Sequence, residues 1–160
     1  VTDPRGYWVV VATLALSLLV TLVPVALPAR PYLPDWPTLV LCYWVMALPH
    51  RVGVFSACAL GLARDILDGS PLGASAIGTV LVVLLILLNY QRLRQFDPWQ
   101  QSLLVGLMVA LVHLIEQRME SLLGWQHGGL AFLAPLVASS LVWVPLRNAL
   151  RAVRRYYEVQ

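Results

Sequence analysis

His113, Glu116 and Glu120 stand three and four positions apart, a spacing that puts all three on one helix face and resembles a set of metal ligands. Carboxylate-bridged metal sites in helix bundles draw a Glu and a Glu-x-x-His motif from several helices. The other segments of this chain supply no such motif. Arg118 and His127 fall close by, in what reads as a wet outer connection. The trio therefore reads as the amphipathic exit of a helix, and no metal is expected. Cys42 and Cys58 lie inside apolar stretches without Cys-x-x-Cys spacing, so they read as small buried hydrophobes. No Ser/His/Asp set and no Gly-x-x-x-x-Gly-Lys run occurs. Neither a catalytic residue nor a cofactor is assigned.

Packing chemistry is better represented. Gly53, Ala57, Gly61 and Asp65 repeat every four residues, and Asp65 opens the turn-rich run Asp68-Gly69-Ser70-Pro71-Leu72-Gly73. Small residues at that spacing let two helix backbones approach closely, a main route to helix association in lipid. A carboxylate at a bilayer centre costs about 2.5–3.5 kcal/mol on insertion scales, so Asp65 should face protein or the interface. Three roles stay open for it: an anchor for a loop or partner, a helix-end residue paired with Arg64, or an ion ligand. Asp68-Gly69 and Ser70-Pro71 make a turn in which glycine supplies positive φ, and Gly73 closes the run. Thr13, Ser17 and Thr21 form a second four-spaced row, whose hydroxyls can bond the carbonyl four residues back at little cost. This row suits packing within the protein or against a partner helix.

The elements that position these residues are long and apolar. The chain is 59% hydrophobic and 12% charged, with mean hydropathy +0.75. A soluble domain carries roughly 25% charged residues. We read one integral membrane domain over residues 1–160, all-α, with about six transmembrane segments at 7–27, 38–48, 52–67, 72–89, 99–115 and 130–146. The first is 21 residues, about 31 Å as a helix, so it reads as a retained span rather than a signal peptide. The second and third are short, and form either two short spans or a re-entrant hairpin from the outer side. A short piece ahead of Val1 is expected, and no extramembrane domain large enough for an enzyme.

Charge orients the bundle. All eleven basic residues are arginine. Arg5, Arg51, Arg92, Arg94, Arg147, Arg151, Arg154 and Arg155 fall at alternate gaps, whereas only Arg30, Arg64 and Arg118 occupy the others, beside most of the acids. Basic residues stay on the cytoplasmic side, which places both termini there. Residues 147–160 form a basic tail in which Leu146, Leu150, Val153 and Tyr157 share a helical face. That tail is either a helix lying on the anionic inner leaflet, contacting the lipid bilayer and a cytoplasmic partner, or a plain stop-transfer anchor. The formal charge of +3 does not signal nucleic-acid binding, because the arginines are scattered at helix ends.

The run Gly61-Leu62-x-x-Asp65-x-Leu67-x-Gly69-x-Pro71-Leu72-Gly73, with Pro34, Pro37 and Tyr43-Trp44 ahead of it, resembles the rod shape-determining protein MreD family. The likeness covers essentially the whole length, and the glycine-aspartate run is its specific part. It implies a non-enzymatic scaffold of the bacterial cell-wall elongation complex in the inner membrane. The partners it implies are MreC, the MreB assembly, and RodA with its penicillin-binding transpeptidase partner. It also implies a fold similar to the substrate-binding subunits of energy-coupling-factor transporters, which makes a small-molecule-binding subunit of a vitamin transporter the alternative function. Those subunits use an Ala-x-x-x-Ala seam on their first helix, and here Ala12 and Ala15 are each followed four residues later by leucine.

Overall fold

A computed structural model describes residues 6–23, 32–124 and 133–157. Those residues form six α-helices and no strand: α1 (Tyr7–Thr21), α2 (Trp36–Ala47), α3 (Val54–Asp68), α4 (Ala74–Gln95), α5 (Pro98–Leu122) and α6 (Leu133–Tyr156). The all-helical expectation therefore holds. The end of the first expected segment, Arg30 and His127 lie outside the described residues.

α2 is the central post. Its sequence is apolar on every side, and a helix of that kind has to be surrounded. Residues Pro37 through Met46 are all buried, with α1, α4, α5 and α6 packed around them. Asp35 starts the helix by accepting from the Thr38 backbone N–H at 3.3 Å, and Pro37 fits the first turn, where no intrahelical donor is needed. At the other end Arg94, from the last turn of α4, donates to the Ala47 carbonyl at 3.1 Å and sits where the helix dipole favours a cation. With 12 residues α2 rises only about 18 Å, short of the ~30 Å hydrocarbon layer.

α4, α5 and α6, at 22, 25 and 24 residues, are each long and apolar enough to cross a membrane. All three run past the ends expected from hydropathy. Arg92 and Arg94 remain inside α4, Glu116, Arg118 and Glu120 inside α5, and Arg147 through Arg155 inside α6. Charged residues with long stems are good helix formers, so apolarity ends before the helix does. Arg118 is thus helical rather than in a loop. The basic stretch after Arg147 continues α6 without a break. Its apolar face, Leu146, Leu150 and Val153, packs on the protein core.

The chain's two described ends meet. Trp8 near the start of α1 and Tyr157 after α6 make an edge-to-face ring pair with centroids 5.3 Å apart. Such a pair requires both ends to lie at one end of the bundle.

Candidate functional site

Charge inside the bundle converges on Asp35. Its Oδ2 lies 2.8 Å from Arg64 Nη1 and 3.2 Å from His113 Nε2. Thr38 Oγ1 donates to the same oxygen at 2.8 Å, and the Asp35 backbone N–H donates to Ser139 Oγ at 3.1 Å. Arg64 reaches further, to Glu116 Oε1 at 3.3 Å and Asp68 Oδ2 at 3.5 Å, while His113 Nδ1 lies 3.0 Å from Glu116 Oε2. One junction thereby ties the start of α2 to α3, α5 and α6. The His113 Nε2 and Arg64–Glu116 contacts are within ion-pair range but off hydrogen-bond alignment, leaving His113 Nε2 and Glu116 Oε1 without an aligned partner.

Burial alone would raise the Asp35 carboxyl's pKa; the Arg64 guanidinium and His113 outweigh it and hold the group well below the usual carboxylate range. Removing one member of such a buried set strands the others, which costs about 3–5 kcal/mol. The guanidinium occupies the place a cation would need. Among the described residues no three His, Cys, Asp or Glu side chains are arranged to hold a metal ion.

Asp65 plays a different part from its neighbour Arg64, and the two are not paired. Fully buried, its Oδ2 accepts from the Gly73 backbone N–H at 2.8 Å, and its Oδ1 from the Ser75 N–H at 2.9 Å and Ser70 Oγ at 3.0 Å. The first N–H groups of any helix lack partners within it. Gly73, the residue preceding α4, has no side chain to supply one, so a carboxylate from α3 does. Gly69 and Gly73 take positive φ, 68° and 101°, and fold the chain back between the two helices.

Gly61 faces α4 so closely that a Cβ there would collide with the Ala76 backbone. Ala57 is buried on the same side, where its carbonyl accepts from Thr79 Oγ1 at 3.2 Å. Gly53 stands apart: it precedes α3 in extended conformation, with open space where a side chain would go. On α1, Thr13, Ser17 and Thr21 donate to carbonyls three residues back, at 2.9, 2.6 and 2.6 Å, one residue nearer than expected. Thr13 also accepts from Trp44 Nε1 at 2.9 Å, fixing α1 to α2. Arg147, Arg151, Arg154 and Arg155 all lie on the second half of α6.

Three features escape the sequence reading. Asp35 falls ahead of the second expected segment, where the sequence reading assigns it no role, although an aspartate three places before a threonine, with proline between, is a helix-start signal. Gly78 seats α4 against Val112, and Gly106 seats α5 against Ser140, each as a single glycine with no spacing pattern to mark it.

Comparison with known proteins completes the description. The family model for rod shape-determining protein MreD matches residues 3–153. A rod shape-determining protein MreD from Haemophilus influenzae is 35% identical over 122 residues, which cover 76% of this chain and 75% of that protein. No solved structure matches.

Proposed function

The chain belongs to the rod shape-determining protein MreD family, and on that premise we propose that it is a non-enzymatic membrane scaffold. It couples the peptidoglycan synthases, RodA and its transpeptidase, to MreC and the MreB cytoskeleton. Membership gives the role in cell shape; the coupling is our reading. The domain sits in the bacterial inner membrane with both termini cytoplasmic, the arginine-rich ends of α4 and α6 inside and the Asp35 junction toward the outer face.

The observation that carries the scaffold reading is the unpartnered side of α3. Its buried side, Ala57, Gly61 and Asp65, is used up against α4 and the turn before it. The opposite side presents Phe55, Ala59, Leu62 and Ile66, spaced for one helical face, with Phe55 93% exposed. The close-packing and turn residues, Thr13, Ser17, Gly53, Ala57, Gly61, Asp65, Gly69 and Gly73, then serve to set the bundle that offers this face to a partner helix.

The test is recovery of MreC, MreB and RodA with the tagged chain, alongside cell shape, in a rod-shaped bacterium lacking its own family member. Ala59→Trp enlarges the outward face without touching the packed one. Reduced recovery and rounded cells are expected. Unchanged recovery with normal rods counts against this face.

A further inference from the structure

Between α1 and α6, over α2, runs an apolar groove of about 200 Å³, lined by Thr13, Leu16, Val20, Val40, Leu146 and Leu150 among others. Apolar cavities of about 150 Å³ already stay dry and accept small hydrocarbons. This groove belongs to neither the charged junction nor the α3 face. Its two ends differ. Along α6 the lining residues Leu146 and Leu150 are followed, one turn further on the same side, by Arg154. Along α2 the lining residue Val40 is followed by Tyr43. Arg147, Arg151 and Arg155 lie on the same stretch of α6.

We propose that the groove holds one acyl chain of an anionic phospholipid, whose phosphate rests on the arginines at the groove's inner mouth. The two requirements of such a ligand, a dry channel and a cationic mouth, occur here in line along the same two helices. Guanidinium groups suit phosphate because their paired N–H donors match its oxygens. The chain would lie along α1 from Thr13 toward Val20, filling the gap left where α1 leans mainly on α2. The inference rests on the membrane reading of the chain and is independent of its part in cell shape.

The test is native mass spectrometry of the full chain, released from bilayers of phosphatidylcholine and phosphatidylglycerol in equal amounts. Phosphatidylglycerol is expected to remain bound preferentially. Leu16 is 60% exposed and lines the groove, so Leu16→Trp fills it without disturbing the core. That variant should lose the lipid. Replacing both Arg151 and Arg154 with glutamine should weaken retention by about thirty-fold, at ~1 kcal/mol for each arginine near the surface. Equal retention of the two lipids, or retention unchanged in Leu16→Trp, overturns the proposal. So does a photo-crosslinker at Leu16 that captures protein in place of lipid in cells.

Discussion

Arg64 and Asp35, 29 positions apart, meet at 2.8 Å between Nη1 and Oδ2, and that ion pair joins the end of α3 to the start of the central helix. Neither residue announces the other in the sequence. Arg64 sits next to Asp65, which turns away to cap α4, so adjacency points to the wrong partner.

Arg64→Ala should cost about 3–5 kcal/mol of stability, because it leaves Asp35 and Glu116 buried without their cation. The double variant Arg64→Met with Asp35→Asn, which removes both charges and keeps the volume, should recover a large part of the loss. Thermal unfolding in detergent of the single and double variants measures the difference. Equal destabilisation by both would mean that the charges do not act as a pair.

Gly61 and Gly53 should respond oppositely to an added side chain. Gly61→Leu drives a side chain into the Ala76 backbone, and overpacking of that kind costs at least about 3 kcal/mol where the neighbour cannot shift. Gly53→Ala meets open space in an ordinary backbone conformation and should stay within about 0.5 kcal/mol of the parent. Folded yield and melting temperature, compared side by side, check the contrast.

Asp65→Ala should strand the Gly73 and Ser75 N–H groups at the start of α4, a loss of about 3–5 kcal/mol from hydrogen bonds to a charged acceptor. Asp65→Asn keeps one carbonyl acceptor and should lose less. Hydrogen exchange at the first turn of α4 reads the effect locally. Fast exchange there, with protection elsewhere intact, is the expected pattern.

Thr13→Val removes the acceptor for Trp44 Nε1 while preserving shape. An indole N–H left buried without a partner costs about 1–3 kcal/mol. Tryptophan fluorescence against denaturant should show the shift, and Thr13→Ser, which retains the acceptor, should restore most of it.

Much of this arrangement was legible in the residues. Runs of apolar side chains mark all six helices, and the four-residue spacing of Ala57, Gly61 and Asp65 marks the side of α3 that packs. Gly53 shares the spacing but precedes the helix, since periodicity does not distinguish a seam from the residue that starts it. Helix ends were misplaced because hydropathy falls at Arg92, Glu116 and Arg147 while backbone hydrogen bonding continues. The junction was hidden for a deeper reason. Asp35, Arg64, His113 with Glu116, and Ser139 come from four separate parts of the chain, and only the folded bundle brings the start of α2 together with α3, α5 and α6. His113 and Glu116 did stand out by spacing, and the side chains they meet are Asp35 and Arg64.

The orientation of the bundle in the membrane is tested most directly by accessibility of single cysteines, after Cys42 and Cys58 are replaced by alanine. Tyr7→Cys and Tyr156→Cys lie at the end where Trp8 meets Tyr157, and Leu72→Cys and Leu123→Cys lie in the turns at the other end. With a membrane-impermeant maleimide on intact spheroplasts, positions 72 and 123 should label at once, and positions 7 and 156 only after permeabilisation. Labelling of 7 and 156 from opposite sides, or of both from outside, would contradict the account.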